Sequence, residues 1–439
     1  MPAAGQFRAD AMRASKSGAT GFQHGRVCKT YFLGRSLWPQ MTGPFVIRVN
    51  AMPTPYAPEK SCPLDGVRIL DLSRLVAGNV LTHVLADLGA DVIKVEPPGG
   101  DALRFWKESG HEIQWKVYSR NKRSIVIDLK DENDRRIFTK LIRSADILVE
   151  NYRPGVLDRL GYPLAKLHEL QPKLVVVRVS GWGATGPYKD RPGFGTLVEA
   201  ASGYAYKNGF PGQEPLLPNL GLADSVTGLY GAACTMVALR EAEKEGGKGQ
   251  ELDLALFDSF LSILGADQAV YHVSGKIVQR SGNRSNLTAP RNVYRTSDDQ
   301  YVALSAATPE MAHRVFDAID RPDMKVGPKF ATNPARLQNV EELDEIIGAF
   351  IAARSLKANL DYFGAKQVTV GPINDAKMVM EDPHVIARGI IVTQEDDETD
   401  GLPMHAVPCR FSATPGALRR PAPRLDENRA EILAELDEG

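Results

Sequence analysis

The sequence has little that would build a metal site or a disulfide framework. Its 439 residues include four cysteines, Cys28, Cys62, Cys234 and Cys409, and none of them forms a C-x-x-C pair. Structural zinc needs closely spaced ligands, and small secreted proteins need many cysteines, so we expect no metal and a reducing compartment. The eight histidines include no H-E-x-x-H arrangement, which excludes the common zinc hydrolases.

An excess of one charge and long apolar runs are also absent. Lys and Arg number 53 against 54 Asp and Glu, so the formal net charge is −1 and no overall field attracts nucleic acid or an anionic membrane. No continuous apolar run approaches the ~18 residues that span a bilayer. We therefore expect neither a nucleic-acid nor a membrane partner, and any anionic ligand must be bound by local groups.

What is present is ordinary globular composition, 43% hydrophobic and 24% charged, in a chain long enough for two or three domains. Residues 1–57 stand apart as a basic leader with one acid, Asp10, and no hydrophobic periodicity. We predict that this leader is disordered or missing from the mature protein. Two origins stay open: an overlong reading frame ahead of Met52 in a cytoplasmic protein, or a presequence for the mitochondrial matrix.

After the leader, strands and helices alternate. Residues 67–72 are typical of a buried strand, 80–88 of a helix and 91–96 of a second strand, and the alternation continues to an apolar helix at 256–273. This order predicts a parallel, doubly wound α/β sheet in a large domain of residues 58–275.

The pattern changes beyond that helix. Residues 292–296 and 301–304, separated by a turn, predict a β-hairpin, and helices follow it. We therefore predict a smaller α+β domain over residues 283–365.

The loop after the first strand, residues 73–79, lies where dinucleotide-binding folds hold phosphate, and Glu96 ends the second strand where a ribose-binding acid would lie. The loop contains one glycine, Gly78, whereas the dinucleotide fingerprint needs three. A nicotinamide dehydrogenase is therefore disfavoured, and Glu96 is interpreted as a surface carboxylate.

Cationic side chains recur near predicted strand ends, at Lys122, Arg123, Lys130, Arg153 and Arg159. Open parallel sheets bind ligands at the carboxyl ends of their strands, where such cations could hold phosphates. Taken singly, each is also typical of a solvated surface. Both interpretations stay open.

Asp224 lies at the start of an apolar helix that we predict from Ser225 to Glu243. An aspartate at this place is commonly a helix N-cap, whose carboxylate accepts hydrogen bonds from the first turn. It can also be a nucleophile, held ionised by the helix amides. The spacing does not decide between the two roles.

Six segments, taken together and in order, carry a resemblance that covers the chain from about Pro63 into the 420s. They are Pro63–Asp71, Ala86–Glu96, Asn121–Ser124, Val149–Gly155, Gly183–Pro187 and Asp382–His384. The set resembles the class III CoA-transferase family, which includes formyl-CoA transferase, carnitine CoA-transferase and α-methylacyl-CoA racemase.

The resemblance implies a Rossmann-like large domain, completed by residues 370–439, and two subunits interlocked as a homodimer. It also implies transfer of CoA from an acyl-CoA, with succinyl-CoA as the expected donor, to a small carboxylic acid. The acyl-CoA thioester is then a substrate, and no tightly bound cofactor is expected.

By the same resemblance, Asp224 is the covalent nucleophile, and the reaction passes through an aspartyl anhydride and an aspartyl-CoA thioester. The CoA contacts of relatives fall on positions that match Leu75, Ala77, Lys130, Asn151, Tyr152 and Arg159. Some relatives carry an arginine where this chain has Pro97-Pro98, so we expect that phosphate contact to be lost or to pass to Arg104.

Departures from the family pattern bear on the reaction. The racemase branch pairs the aspartate with a histidine in the loop where this chain has Phe194-Gly195, so transfer is favoured over racemisation. An acid that many transferases carry near Gly195 is missing here. The glycine-rich loop of formyl-CoA transferase has no counterpart around 285–292, which weighs against the formyl-CoA and oxalate pair. An acyl-CoA racemase and a non-catalytic acyl-CoA-binding subunit of a heteromeric transferase remain as alternatives.

Overall fold

The computed structural model describes residues 53–438. The predicted leader, residues 1–57, therefore lies almost wholly outside the described residues. The described part of the chain contains a six-stranded, a three-stranded and a two-stranded sheet.

The strands are short and build a central parallel sheet with two smaller antiparallel ones. In chain order they are β1 Arg68–Asp71, β2 Asp91–Glu96, β3 Lys122–Val126, β4 Ile147–Glu150, β5 Val175–Ser180, β6 Glu251–Ala255, β7 Arg291–Arg295, β8 Tyr301–Ser305, β9 Val370–Pro372, β10 Ile391–Gln394 and β11 Leu402–His405. The parallel sheet has the order β3-β2-β1-β4-β5-β6, β7 to β9 form the three-stranded sheet, and β10 pairs with β11. Sequence order reverses between β1 and β4, so the predicted doubly wound α/β fold is confirmed.

Helices connect these strands and cover both faces of the parallel sheet. They are α1 Ala77–Asp87, α2 Ile113–Tyr118, α3 Glu132–Arg143, α4 Val156–Arg159, α5 Leu164–Leu170, α6 Gly195–Ala201, α7 Tyr204–Lys207, α8 Leu222–Ala242, α9 Leu256–Ser262, α10 Asp267–Ser274, α11 Pro309–Ala318, α12 Asn333–Gln338, α13 Val340–Ala352, α14 Leu356–Ala365, α15 Ala376–Glu381, α16 Pro383–Arg388 and α17 Arg429–Glu438, with 3₁₀ turns at Ala102–Phe105 and Pro322–Lys325. The predicted single helix over 256–273 is wrong: it is divided into α9 and α10 around Gly265, whose φ of +86° is unfavourable inside a helix.

The core lies on the two faces of the parallel sheet. Ile69 and Val177 point to a cluster that includes side chains of α1, α8 and α9. Leu70 and Val176 point to a second cluster, with α3, α5 and α17. Successive strand residues alternate between faces, and both faces are covered, so the strands appear in the sequence as nearly continuous apolar runs.

Helices α1 and α8 approach each other closely through glycine. A Cβ atom at Gly228 of α8 would lie 2.7 Å from the carbonyl oxygen of Ala77, and one at Gly231 would lie 2.7 Å from Leu81 Cδ1. Only glycine allows this approach, which brings the first turns of the two helices together. Among the described residues, α8 is the one helix long and apolar enough to cross a membrane by length and composition, and its packing against α1 explains that composition as that of a core helix.

The three-stranded sheet forms around the predicted hairpin. β7 pairs with β8 in antiparallel fashion, and Tyr294, Val302 and Leu304 are buried in a third cluster with α11, α13 and α14. β9 completes this sheet from beyond residue 365, while Ile432 of α17 packs on the parallel sheet. The predicted domain boundaries at 58–275, 283–365 and 370–439 stay a prediction.

A buried ion-pair network lies beneath the loop that follows β1. Lys94 Nζ lies 3.2 Å from Asp71 Oδ1 and 3.0 Å from Asp101 Oδ2, and Lys122 Nζ lies 3.1 Å from Asp71 Oδ2. All four side chains are almost completely buried. The two lysines hold the pKa of the Asp71 carboxyl well below its usual range, despite the opposing effect of burial.

This network and its neighbours change the interpretation of the cations at 122 and 123. Both residues lie at the amino end of β3, away from the carboxyl edge of the sheet. Arg123 is paired with Asp91, 2.7 Å away, and with Glu431, 2.9 Å away. A phosphate-binding role for Lys122 and Arg123 is therefore wrong, because their charges are used inside the fold.

We predict that Lys94→Met destabilises the protein by roughly 3–5 kcal/mol, because it leaves Asp101 and part of Asp71 buried without a counter-charge. Urea unfolding of the purified variant measures the change. The control is Lys357→Met, which removes an exposed pair with Asp361 and should cost no more than about 0.5 kcal/mol. Equal stability of the Lys94 variant and the wild type would contradict a structural role for the network.

Candidate functional site

The loops that follow β1 and β4 meet at the switch point of the parallel sheet. The Asn151 side chain joins them: its Oδ1 accepts a hydrogen bond from the Arg74 backbone N–H, and its Nδ2 donates one to the Arg74 carbonyl, both at 2.8 Å. Open α/β sheets bind ligands in the crevice at such a point. Asn151 therefore holds the two loops that would border a ligand.

The loop after β1 is held in an unusual backbone conformation. Leu75 has a φ of +61°, which is uncommon for a residue other than glycine, and its N–H donates to Asp101 Oδ1 at 3.0 Å. Asn79 Nδ2 donates to the other oxygen of Asp101 at 2.8 Å. The buried network beneath the loop thus fixes the backbone from Leu75 to Ala77.

Asp224 lies against this loop, in the first turn of α8. The helix begins at Leu222 after Gly221, so Asp224 is not the N-cap residue that its place in the sequence allowed. Gly221 and Gly195 both lie close to its carboxylate, and a Cβ atom at Gly195 would overlap Oδ2. The glycine at 195 therefore lets this carboxylate lie directly against the backbone at the start of α6.

Burial, together with the negative charge of Glu199, raises the pKa of Asp224 to about 6. The backbone N–H groups of Ala77 and of Asp224 itself oppose the rise, because they face the carboxylate and favour its charged form. The first N–H groups of a helix have no partner within that helix, so the amino ends of α1 and α8 are free to act on this group.

Glu199 was missed by sequence reasoning. Residues 193–195 carry no acid, but Glu199 lies one helical turn beyond Gly195 along α6 and is 2% exposed. Its Oε1 accepts a hydrogen bond from the Ala223 N–H at 2.9 Å, directly before Asp224. In the sequence, the available signal for Glu199 was a single acid among the small and apolar residues of α6.

The glycine-rich segment between β5 and α6 folds back on itself beside Asp224. A Cβ atom at Gly181 would lie 2.6 Å from Gly193 Cα, so the two ends of the loop touch through glycine. Trp182 Nε1 donates to the Pro192 carbonyl at 3.1 Å and closes the loop. This arrangement positions Gly195 and the start of α6.

The segment after β4 is shaped by a buried carboxylate. Glu150 Oε2 accepts a hydrogen bond from the Tyr152 N–H at 2.6 Å, and burial raises the pKa of Glu150 to about 7. The Arg74 guanidinium lies 5.4 Å from the centre of the Tyr152 ring. Tyr152 and Asn151 thus present their side chains to the loop after β1.

Lys130, in the loop after β3, and Arg159, the last residue of α4 after β4, lie at the same edge of the sheet. Both are exposed, and among residues 53–438 neither takes part in an ion pair. Arg159 Nη1 lies near the backbone of Gly155, 3.2 Å from the position of a Cβ atom there. Unlike Lys122 and Arg123, these two cations are available to an anionic ligand.

Glu96 and Arg104 differ from their predicted roles. Glu96 is buried rather than at the surface, and it accepts two hydrogen bonds from the Arg104 guanidinium, each 2.8 Å long. Arg104 also lies over the Trp115 ring, 3.6 Å from its centre. These contacts occupy the guanidinium, so the expected transfer of a phosphate contact to Arg104 finds no support.

Comparison with known proteins identifies the family. The sequence model of CoA-transferase family III matches residues 64–429, which is most of the chain. The chain therefore belongs to CoA-transferase family III, and it is an enzyme of that class.

Two relatives and one solved structure show the extent of the similarity. The chain is 36% identical to the succinyl-CoA–D-citramalate CoA-transferase of Chloroflexus aurantiacus over 381 residues, 85% of this chain and 94% of that protein. It is 35% identical, at the same coverage, to the beta subunit of the succinyl-CoA–L-malate CoA-transferase of that organism. The crystal structure of a CAIB/BAIF family protein from Brucella suis aligns with a TM-score of 0.76 at 32% identity, over 86% of this chain and all of that one.

Proposed function

We propose that this enzyme transfers CoA from succinyl-CoA to a small carboxylic acid, with Asp224 as the covalent nucleophile. The observation that carries the proposal is the position of Asp224: a half-buried carboxylate in the first turn of α8, faced by the Ala77 N–H and packed against the glycine at 195. A carboxylate of this kind is reactive because burial weakens its solvation while nearby amides keep it oriented.

The proposed reaction has four acyl transfers. The Asp224 carboxylate attacks the thioester carbonyl of the donor, which gives a mixed anhydride and CoA thiolate. The thiolate attacks the Asp224 carbonyl of the anhydride, which gives an aspartyl-CoA thioester and releases the donor acid. The acceptor carboxylate then attacks this thioester, and the released thiolate attacks the acceptor carbonyl of the second anhydride. The new acyl-CoA leaves, and the Asp224 carboxylate is restored.

Each attack on a carbonyl places negative charge on its oxygen. The Ala77 N–H and the first turn of α8 face the Asp224 carboxylate, so they are placed to stabilise charge that develops on its oxygens. The proposed steps use acyl-CoA as a substrate and need no resident cofactor.

For CoA we propose contacts with six residues at the carboxyl edge of the sheet. Lys130 and Arg159 would neutralise phosphate charge, and the loop that contains Leu75 and Ala77 would contact the rest of the molecule together with the side chains of Asn151 and Tyr152. Support comes from the exposed, unpaired state of the two cations and from the Asn151 hydrogen bonds that join the loops.

Succinyl-CoA is proposed as the donor because the relatives named above are both succinyl-CoA-dependent by name. The proposed acceptor is a small carboxylic acid, whose carboxylate attacks the aspartyl-CoA thioester at Asp224.

We predict that incubation with succinyl-CoA and then hydroxylamine forms a hydroxamate on the peptide that contains Asp224. Formation should fall as the pH is lowered through about 6, because the protonated carboxyl group does not attack a thioester. Asp224→Asn should abolish the adduct and lower CoA transfer roughly 10³-fold or more.

Mass spectrometry of the digested protein locates the adduct, and Asp258→Asn, an exposed aspartate on α9, is the matched control. A fully active Asp224→Asn variant would contradict the assignment of the nucleophile.

We predict that Lys130→Ala and Arg159→Ala each raise the KM for succinyl-CoA about tenfold with little change in kcat, because a charged hydrogen bond to phosphate is lost equally in the ground and transition states. Initial-rate kinetics measure the effect, and Lys166→Ala, at a partly exposed lysine of α5, is the control. An unchanged KM in both variants would place the CoA phosphates elsewhere.

We also propose that the chain is a homodimer. Sixteen of the twenty-six large apolar side chains that the described residues expose lie between Phe194 and Leu287, including Val237 at 72% and Val273 at 84%. Exposed apolar side chains in such number are typical of a chain that a partner partly covers. The proposed partner is a second copy of this chain. One relative is named as a beta subunit, so a different chain is the alternative partner.

We predict a mass in solution of about twice 47.9 kDa for the purified chain alone. Val237→Asp should shift the mass toward one chain, because a buried carboxylate opposes association. Val326→Asp, 85% exposed but outside the apolar segment, should not. Sedimentation equilibrium distinguishes these states, and an active protein with the mass of one chain would contradict the proposal.

A further inference from the structure

Helix α6 places a second carboxylate beside the nucleophile. The helix starts at Gly195, next to Asp224 Oδ2, and Glu199 lies one turn later on the same face. Glu199 is buried, and its Oε1 accepts a hydrogen bond 2.9 Å long from the Ala223 N–H. The residue therefore touches the first turn of α8 at the position just before Asp224.

The Glu199 carboxylate has an unusual setting. No ion pair within the described part of the chain includes it, although it is among the most deeply buried acids there. A buried carboxylate without a counter-charge is costly, and such groups are concentrated at functional sites.

Other ionisable groups on the elements that pack against α8 have partners elsewhere or are exposed. On α1, His83 lies beside Asp87, which is paired with Arg120. On the parallel sheet, Arg178 is paired with Glu251, and Asp253 accepts a hydrogen bond from the Ala184 N–H. On α9, Asp258 is exposed. Among the described residues, Glu199 is the buried acid that contacts the first turn of α8, and its charge acts on Asp224.

Resting on the proposed function, we infer that Glu199 is a positioning residue for CoA transfer. Its hydrogen bond to Ala223 fixes the first turn of α8, and its negative charge keeps the Asp224 carboxylate weakly stabilised and therefore more nucleophilic. The Glu199 charge acts in the same direction as burial on the pKa of Asp224. A more basic carboxylate is a better nucleophile once it is ionised.

The test is Glu199→Gln, which keeps the size of the side chain and an oxygen that accepts from the Ala223 N–H but removes the charge. The pH dependence of hydroxamate formation on Asp224, and of kcat/KM with succinyl-CoA, is measured for the wild type and the variant. The acid limb, which is the part of each pH profile where activity falls as the pH is lowered, should move to lower pH by about one unit. The reason is that a nearby negative charge no longer opposes ionisation of Asp224. The plateau above pH 7 should fall about two- to fivefold, since the carboxylate is less basic.

Two further variants separate charge from structure. Glu241→Gln makes the same change at the far end of α8, about 25 Å along the helix from Asp224, and should leave both features unchanged. Glu199→Asp keeps the charge with a shorter side chain, so its acid limb should stay near that of the wild type even if the plateau falls.

The outcomes are distinct. An unmoved acid limb in Glu199→Gln, while the wild type forms the adduct, would overturn the inference and leave the proposed function intact. A uniform loss of rate with the same acid limb would show a merely structural role and would also overturn it. A wild type that forms no adduct with succinyl-CoA would overturn the proposed function and this inference together.

Discussion

The contact between the first turns of α1 and α8 is the constraint on which the candidate site depends. Gly228 lets the Ala77 carbonyl approach α8 more closely than any side chain would allow. As a result, the free N–H of Ala77, at the start of α1, faces the carboxylate of Asp224, in the first turn of α8. One close helix crossing thus joins the loop of the switch point to the proposed nucleophile, although the two are about 150 residues apart in the chain.

Charge inside the fold supports this contact without taking part in the proposed chemistry. The ion pairs of Lys94 with Asp71 and Asp101 lie below the loop that follows β1. Asp101 accepts a hydrogen bond from the Leu75 N–H and so holds Leu75 in its left-handed backbone conformation. Lys130 and Arg159, by contrast, are exposed and have no ion-pair partner among the described residues, so they are available to a ligand. Buried cations therefore stabilise the fold through ion pairs, whereas exposed cations are available for binding.

Local patterns were sufficient for the architecture. The strand at 91–96 agrees with its predicted bounds, because a run of buried apolar residues is visible in the sequence itself. Roles that depend on distant partners could not be predicted: Lys122 and Arg104 looked like ligand-binding cations until their carboxylate partners were located. Glu199 is the same case at the site, because its burial depends on the packing of α6 against α8.

The central claim is that Asp224 exchanges an oxygen atom with the substrate acids through an anhydride. In the proposed sequence, the bridging oxygen of the second anhydride comes from the acceptor and remains on Asp224 when the thiolate attacks the acceptor carbonyl. Incubation with succinyl-CoA and oxygen-18-labelled succinate, followed by mass spectrometry of the peptide that contains Asp224, tests this directly. The account predicts that heavy oxygen enters the Asp224 carboxylate as exchange proceeds. Exchange of label between succinate and succinyl-CoA without any heavy oxygen on Asp224 would contradict it.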